Sequence, residues 1–297
     1  MRRRCPDRAW DPNLVGYEIR RSPRRALVWI YRRLTAAWRG LPDFYIAGAK
    51  RSGTTSLFWY LLEHPRVLAP FRKEIKYYTY QAYLSVAWYR ANFPWQKDLQ
   101  QRSALTLDAT PNYLMHPGFP SRMLRVTPEA KIIVLLRDPV RRVLSHYYHN
   151  RRRGVEPLPL RAALEQEPER IRETAARIAH DPCVNLFPYL RYGYLSESRY
   201  IEHLERLWTA VPRERILVLR SEDLFARPQP VLDQVADFLG LEPWRPRTKA
   251  YNQGAYPADP EIRALVPWLR DYFRPYNQRL YAALGRDMEW EGAPPTP

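Results

Sequence analysis

The sequence predicts an α/β fold: a P-loop-type parallel sheet of about five strands, flanked by helices on both faces. Short apolar runs alternate along the chain with segments of helical periodicity, which is the order expected of strands followed by covering helices. The run Lys131–Leu136 is the clearest buried strand, because apolar residues follow one another without a break. The length of 297 residues and the hydrophobic content of 45% suffice for a sizeable core.

The first strand and the segment after it predict an anion-binding loop. The strand is Phe44–Ala47, and an apolar pattern of helical spacing runs from Leu57 to Leu62. Between them, Gly48 and Gly53 have the spacing of a nucleotide-binding P-loop. In such a loop the glycines let the backbone close around phosphate oxygens, and the start of the helix offers unpaired N–H groups and a positive dipole.

The loop departs from the standard motif in the position of its lysine. A P-loop continues after the second glycine with Lys and then Ser or Thr, but Thr54 and Thr55 stand there in this chain. The lysine lies inside the loop as Lys50, with Arg51 behind it. This arrangement indicates a P-loop architecture used on a different anion. The alternative is an ordinary Gly/Ser connection without a ligand.

A second strand candidate, Arg66–Leu68, precedes a possible general base. We expect the end of this strand to lie near the first loop and to bring Glu74 to the anion site. A carboxylate is a poor phosphate ligand, but it can take the proton of an incoming hydroxyl. The alternative is a surface glutamate paired with Lys73 or Lys76.

The third strand candidate, Ala104–Asp108, ends on an acidic residue. An apolar strand that closes on Asp resembles a Walker B element, in which the carboxylate serves magnesium in an NTPase. The alternative is that Asp108 caps the following turn. The sequence leaves both open.

The fourth strand, Lys131–Leu136, leads to a second candidate phosphate site. Pro139 is well placed to start a helix over 140–153. Arg137 and Ser145 could hold a phosphate together, the first by a bidentate fork and the second by its hydroxyl. Further arginines raise the local positive field: Arg141, Arg142, Arg151, Arg152 and Arg153.

The remainder of the chain continues the alternation. Residues 156–185 predict a helix framed by proline and charged residues, and the final helix contains two prolines, Pro267 and Pro275, that we expect to break or kink it. The other predicted elements are a helix over 196–209, a strand over 215–219, a helix over 230–239 closed by Gly240, a polar loop over 244–256 that holds Lys249, and the last helix over 259–284. We find no internal repeat and no linker that divides domains.

Composition narrows the partners and the location. The net charge of +17 points to an anionic partner, which could be a nucleotide, a nucleic acid, an acidic glycan or a membrane surface. Only two cysteines, Cys5 and Cys183, are present, which is compatible with a reducing compartment. No signal peptide or membrane span is visible, so we expect a cytoplasmic protein. His146 and His149 lack an evident third ligand, so we expect no metal.

Residues 1–40 form a basic extension ahead of the main domain. Residues 24–39 predict an amphipathic helix with Leu27, Ile30, Leu34 and Trp38 on one face. This face could dock on the domain itself or make peripheral contact with the inner face of the membrane. We expect the main domain to span 41–290 and the tail 291–297 to be disordered.

Five motifs in this order resemble those of the PAPS-dependent sulfotransferases, the family of the heparan sulfate sulfotransferases and their bacterial relatives. The resemblance covers about residues 41–290 and is closest to the bacterial branch. The motifs are Gly48–Ser56, Lys73–Tyr78, Asp108–Pro111, Leu136–Ser145 and Arg220–Leu224. Together they imply a sulfotransferase domain that uses PAPS (3′-phosphoadenosine 5′-phosphosulfate) without a metal.

The resemblance also implies roles for individual residues. Lys50 and Glu74 would be catalytic, the first stabilising the leaving group and the second deprotonating the acceptor. Arg137 and Ser145 would bind the 3′-phosphate. The remaining residues expected to bind the donor are Arg51, Ser52, Gly53, Thr54, Thr55 and Ser56 of the loop, and Lys249.

Differences from the heparan sulfate enzymes leave the acceptor open. Lys76 and Ala109 stand where those enzymes commonly have His and Lys, and the loop before Tyr256 lacks their basic cluster. We expect a hydroxyl or amine of a carbohydrate or glycolipid as acceptor, and no nucleic acid partner. The competing hypotheses are a P-loop kinase or NTPase that uses Asp108 with magnesium, and a non-catalytic protein that binds polyanions.

Overall fold

The computed structural model describes residues 23–178, 180–181, 184, 186–247 and 260–291. The predictions for Cys5, Cys183, Lys249 and residues 292–297 therefore lie outside the described residues. Within these residues, no helix is long and apolar enough to cross a membrane.

Five strands form one parallel sheet, as the sequence predicts. They are β1 (Phe44–Gly48), β2 (Val67–Leu68), β3 (Leu105–Ala109), β4 (Lys131–Leu136) and β5 (Ile216–Arg220). Their spatial order is β2-β3-β1-β4-β5, and every neighbouring pair is parallel. In the centre of the sheet Tyr45 of β1 lies opposite Asp108 of β3 and Ile132 of β4.

Fourteen α-helices surround the sheet within the described ranges. They are α1 (Pro23–Leu34), α2 (Thr54–Leu62), α3 (Tyr77–Tyr80), α4 (Val86–Arg90), α5 (Gln96–Gln101), α6 (Phe119–Leu124), α7 (Pro139–Arg152), α8 (Leu160–Glu165), α9 (Glu167–Arg177), α10 (Phe187–Tyr192), α11 (Tyr200–Ala210), α12 (Ser221–Ala226), α13 (Pro228–Leu239) and α14 (Pro260–Leu284). Short 3₁₀ turns occur at Ala36–Trp38, Ser196–Ser198 and Arg213–Arg215.

The side chains of the sheet alternate between two cores, which confirms that helices cover both faces. Phe44 and Ile46 of β1 belong to the core that includes residues of α2 and α13. Tyr45 and Ala47 point to the opposite core, which includes residues of α11 and the end of α14. All four side chains are fully buried.

Two helix predictions need correction. The segment 156–185, predicted as one helix, forms α8 and α9, which meet at Gln166. Of the break or kink predicted in the last helix, the break does not occur: α14 runs through Pro267 and Pro275 without interruption. Its buried side chains, among them Leu269 and Phe273, pack against α7 and α8, and this packing outweighs the roughly 3 kcal/mol that an interior proline costs.

The N-terminal helix docks on the domain, but through a different face from the predicted one. Leu27, Ile30, Leu34 and Trp38 share one side as expected, yet each is more than half exposed. The buried contact is instead made by Trp29, which stacks on Phe71 with 5.8 Å between ring centroids. The hypothesis that the four-residue face docks on the domain is therefore wrong.

The second strand lies farther from the first loop than we expected. Strand β3 separates β2 from β1, so the end of β2 is at the edge of the sheet. Glu74 reaches the centre by another route: its backbone N–H donates to the carbonyl of Ala109, at the end of β3, over 3.2 Å.

Asp108, the last-but-one residue of β3, is a buried anchor. Its carboxylate accepts hydrogen bonds from Tyr89 (2.9 Å), Tyr113 (2.7 Å) and Thr110 (2.7 Å). The backbone N–H of Lys76 in turn donates to the Thr110 hydroxyl. Asp108 therefore fixes the turn after β3 and the segment that carries Glu74.

We expect Asp108→Ala to lower the free energy of unfolding by about 3–5 kcal/mol, because three buried hydroxyl donors lose their acceptor and each unsatisfied group costs about 1–3 kcal/mol. Urea denaturation measures this loss. Asp271→Ala is the matched control, since Asp271 is 65% exposed and pairs with the exposed Arg274. Equal stability of the two variants would show that the Asp108 network does not hold the fold.

Candidate active site

One large cavity opens at the carboxyl ends of the central strands. The sheet order places β3 and β4 on either side of β1, and ligands of parallel sheets bind where the chain switches sides in this way. The cavity has a volume of about 1060 Å³. Its lining includes the loop after β1 and residues that follow β3, β4 and β5, such as Asn112, Arg137 and Glu222.

The lining is strongly basic. It includes two glutamates, Glu74 and Glu222, against seven lysines and arginines: Lys50, Arg51, Lys76, Arg137, Arg141, Arg153 and Arg191. Low-dielectric walls focus such a field, so the cavity attracts negatively charged ligands.

The glycine-rich loop has the geometry its sequence predicts. Gly53 precedes the first turn of α2 with φ of 85°, a conformation that favours glycine. A Cβ on Gly53 would also lie 2.9 Å from the ring of Phe225. Thr54 and Thr55 line the cavity at the helix start, where N–H groups are unpaired.

Two of the predicted loop residues do not line the cavity. The side chains of Ser52 and Ser56 are completely buried. The carbonyl of Ser52 accepts a hydrogen bond from Ser221, which ties the loop to the start of α12. The backbone of Ser52 therefore helps to fix the loop, whereas neither serine side chain faces the cavity.

Lys50 is held in the cavity by uncharged partners. Its ammonium lies 2.8 Å from Nε2 of His146 and 2.5 Å from the carbonyl of Leu190. Burial lowers the pKa of Lys50 to about 8; Glu197 opposes this shift, and the positive field of Arg142 adds to it. His146 is itself fully buried and its pKa lies well below the usual value, so its ring is neutral and accepts from the ammonium.

A second cationic centre lies between β4 and α7. Arg51 donates to the hydroxyl of Ser145 over 3.1 Å, and Arg137 donates to the backbone carbonyl of Arg51 over 3.2 Å. Burial, reinforced by Arg137, lowers the pKa of Arg51 to about 10. The structure thus brings together Arg51, Arg137 and Ser145, which are far apart in sequence. Within the described residues, the two guanidinium groups donate to a hydroxyl and a backbone carbonyl rather than to a carboxylate, so an anion can take that place.

Glu74 lines the cavity and also forms the surface ion pairs that the alternative hypothesis predicts. Its oxygens lie 3.3 Å from Lys73 and 3.5 Å from Lys76. Burial favours its neutral form, but the two lysines outweigh burial and lower its pKa, so Glu74 is ionised at neutral pH. Its negative charge also raises the pKa of Lys50, so the two groups interact electrostatically.

Backbone strain is concentrated at this site. Arg51, Glu74 and Lys76 have φ values of 70°, 59° and 60°, a region that non-glycine residues rarely adopt. All three line the cavity. Such conformations cost about 1–3 kcal/mol each and persist where the surrounding structure fixes them.

Several residues of the site were not predicted. His146 follows Ser145 in the sequence and could have been found from that position on α7. Phe187, Leu190 and Arg191 come from α10, a short helix whose sequence carries no signal for a binding site. Phe225 directly follows the motif that ends at Leu224.

A buried ion pair shapes the wall behind Lys50. The guanidinium of Arg142 donates to Glu197 over 3.0 Å and to the hydroxyl of Ser198 over 2.5 Å, and it is completely buried. It also donates to the carbonyls of Gly193 and Tyr194. These bonds fix the segment after α10 against α7, and they leave Glu197 paired with Arg142.

The fold and the cavity define a P-loop-type α/β protein with a strongly basic cavity at the carboxyl ends of its strands. Comparison with known proteins identifies the family. The chain belongs to the family of the sulfotransferase domain, whose profile matches residues 41–251. The resemblance inferred from the motifs is thereby confirmed, and the chain is a sulfotransferase.

The similarity to known proteins is low in sequence identity but extends over most of the chain. The chain is similar to the membrane-associated sulfotransferase kil1 of Dictyostelium discoideum, with 27% identity over 84% of this chain and 67% of that protein. It is 28% identical to heparan sulfate glucosamine 3-O-sulfotransferase 6 of Homo sapiens, over 85% of this chain and 74% of the relative. A solved sulfotransferase from Alicyclobacillus acidocaldarius has 27% identity and a TM-score of 0.65, covering 84% of this chain and 99% of that one.

We expect anion binding to weaken as the pH rises through about 8, because the Lys50 ammonium is lost above its pKa. Titration calorimetry with adenosine 3′,5′-bisphosphate, from about pH 7 to about pH 9, measures this dependence; the loss approaches tenfold per pH unit above the pKa if only the charged form binds. The histidines of the site do not interfere, since the pKa of His149 is lowered to about 4 and that of His146 lies well below its usual value.

The matched control is Lys50→Met, which removes the titrating group and keeps the length of the side chain. Its binding should be weaker and nearly independent of pH over the same interval. An unchanged pH dependence in Lys50→Met would assign the titration to another group and contradict the prediction.

Proposed function

We propose that the chain transfers a sulfuryl group from PAPS to a hydroxyl or amine of a carbohydrate or glycolipid acceptor. The observation that carries the proposal is the presence of two cationic centres in one cavity. Lys50 lies in the loop after β1, and Arg51, Arg137 and Ser145 meet on the adjacent strand end. PAPS carries two separate anionic groups, a 5′-phosphosulfate and a 3′-phosphate.

The residues present fit this donor. The loop offers unpaired N–H groups at the start of α2 for the 5′-phosphosulfate, with Lys50 beside it. The Arg51, Arg137 and Ser145 cluster holds the 3′-phosphate, since guanidinium groups bind phosphate by paired hydrogen bonds. The ring of Phe225, 44% exposed at the cavity beside Gly53, offers an aromatic surface for the adenine.

In this proposal PAPS, when bound, supplies an activated sulfuryl group whose bond to the 5′-phosphate oxygen breaks during transfer. Glu74 accepts the proton of the acceptor hydroxyl while the oxygen of that hydroxyl forms the new bond to sulfur. Lys50 neutralises the negative charge that develops on the departing phosphate oxygen. Positioning and charge neutralisation thus account for the catalysis, and the displacement is in line.

In the free enzyme the two neighbouring lysines lower the pKa of Glu74, which makes it a weak base. Lys73 and Lys76 stabilise its charged form and so reduce its affinity for a proton. An anionic acceptor that engages Lys76 would draw this charge away from Glu74 and restore its basicity. Substrate binding and activation of the base are therefore linked in our account.

Basic residues of the cavity outside the two cationic centres support an acidic acceptor. Lys76, Arg153 and Arg191 line the cavity together with Phe187. The guanidinium of Arg191 lies 3.8 Å from the ring centre of Phe187, so a charged and an aromatic side chain are in contact in the cavity lining. A relative named for heparan sulfate acts on an anionic carbohydrate, and we extend only the class of acceptor to this chain.

The kinase or NTPase hypothesis is less well supported. Its magnesium ligand would be Asp108, but that carboxylate is fully buried and accepts bonds from Tyr89, Tyr113 and Thr110. Thr54 also stands where the Walker lysine belongs. Tighter binding of magnesium–ATP than of adenosine 3′,5′-bisphosphate would favour this alternative.

The hypothesis of a non-catalytic polyanion-binding protein predicts a different pattern. Binding would depend on salt and on total charge, and it would survive the loss of Lys50. The family membership and the position of Glu74 in the cavity favour an enzyme instead.

We expect Glu74→Gln to retain binding of adenosine 3′,5′-bisphosphate but to lose about 10²–10⁴-fold in turnover, the usual contribution of a general base. Lys50→Ala and Arg137→Ala should lose both binding and turnover, because each removes a charge that contacts the donor. Transfer of label from ³⁵S-PAPS to a panel of glycans and glycolipids measures turnover, and calorimetry measures binding.

Arg263→Ala, an exposed arginine of α14 outside the cavity, is the control and should match the unaltered protein. Turnover of Glu74→Gln within a few-fold of that protein would remove Glu74 from its proposed role. Full binding by Lys50→Ala would contradict the donor site.

A further inference from the structure

The outer side of the N-terminal helix presents an unusual apolar surface. We call it the N-terminal apolar face; it consists of Leu27, Val28, Ile30, Tyr31, Leu34 and Trp38. The exposed fractions of these side chains range from 41% for Val28 to 76% for Leu34. They account for six of the twelve large hydrophobic side chains that are exposed in the described part of the chain. Contiguous apolar surface of this kind marks an interaction site.

The helix is fixed from its opposite side, so this face is held outward. Trp29 is buried against Phe71 and Trp88, with ring centroids 5.8 and 5.7 Å apart. Arg32 donates to the carbonyls of Ala91 and Phe93 over 2.7 and 2.6 Å. Beyond the helix, Arg39 donates to the same Phe93 carbonyl. These contacts leave no room for the helix to roll its apolar side inward without breaking them.

The charge around the face has a single sign. Residues 19–42 contain seven arginines and no aspartate or glutamate. Arg24 and Arg33 are exposed on α1 beside the apolar residues. The preceding residues 1–18 add four further arginines against three acidic residues. A partner that complements this region must offer an apolar region that buries these side chains and negatively charged groups that meet the arginines.

We propose that the N-terminal apolar face binds the surface of an anionic lipid bilayer. A helix of 12 residues is about 18 Å long, and it can lie in the plane of the interface with its apolar side in the acyl boundary. Tyr31 and Trp38 are the residue types that favour the level of the lipid headgroups. The arginines meet the anionic headgroups, each adding a salt-dependent attraction.

A bilayer fits these features better than a protein groove. A protein groove would have to cover an apolar strip and offer acidic groups around it. An anionic bilayer offers negatively charged headgroups with apolar acyl chains beneath them at every point of its surface. The proposal does not depend on the donor or on the acceptor, since none of the six face residues lines the catalytic cavity.

The test is co-sedimentation of the full chain with sucrose-loaded vesicles of phosphatidylcholine alone or mixed with phosphatidylserine. We expect binding to the mixed vesicles, much weaker binding to neutral ones, and release in about 0.5 M salt, where the Debye length is only a few ångströms. The variant Leu27→Gln, Leu34→Gln, Trp38→Gln should bind the mixed vesicles at least about tenfold more weakly, because three large apolar groups no longer enter the lipid.

Two matched variants keep the test independent of folding. Trp268→Gln removes an exposed tryptophan from α14, and it should leave vesicle binding unchanged. Arg24→Glu with Arg33→Glu keeps every apolar residue of the face and should abolish the preference for phosphatidylserine. The triple variant of the apolar face and these two variants should all keep the thermal unfolding midpoint of the unaltered chain and its binding of adenosine 3′,5′-bisphosphate.

Three results would overturn the proposal. The first is absence of vesicle binding by the unaltered chain. The second is equal vesicle binding by the Leu27, Leu34 and Trp38 variant. The third is light scattering that shows a dimer which this variant converts to a monomer, since a second copy would then cover the face. Sulfuryl transfer in solution is measured separately, so its loss or retention does not decide this proposal.

Discussion

Buried positive charge at the carboxyl end of β1 is the constraint on which the site depends. Lys50 loses hydration in the cavity, and its pKa falls to about 8. The protein meets the ammonium with a neutral imidazole and a backbone carbonyl, from His146 and Leu190. A carboxylate in direct contact would neutralise the charge, but the nearby Glu197 is bonded to Arg142 instead. The ammonium therefore stays available to an anion, and an anionic ligand raises its pKa again when it binds.

The frame behind the cavity fixes the groups that such a ligand meets. Asp108 accepts from Thr110, and Thr110 accepts from the N–H of Lys76, which lies two residues after Glu74. Tyr113 repeats this link, because it donates to Asp108 and accepts from the N–H of Tyr77. These bonds hold Glu74 and Lys76 in their left-handed backbone conformations. A residue that resembles a magnesium ligand in the sequence thus serves in the structure as the support of the proposed base.

Local patterns in the sequence were sufficient for the strands, the loop and the helix that begins at Pro139, because each depends on residues close together in the chain. They could not identify the partners of Lys50, since Leu190 is 140 residues away and comes from a helix without a distinctive pattern. The N-terminal helix shows the opposite limit. Its periodicity was predicted correctly, but the assumption that the apolar side faces inward fails. A single buried tryptophan and arginine bonds to backbone carbonyls dock the other side.

The central claim is that the two cationic centres form one site for a nucleotide with phosphates at both the 3′ and 5′ positions. Calorimetric titration with adenosine 3′,5′-bisphosphate and with adenosine 5′-phosphate, without divalent cations, tests it most directly. Charged hydrogen bonds are worth about 1.5–3 kcal/mol each, so the account predicts that the 3′-phosphate strengthens binding by about tenfold to more than a hundredfold. It also predicts that Arg137→Ala removes most of this difference. Equal affinities for the two nucleotides in the unaltered protein would contradict the account.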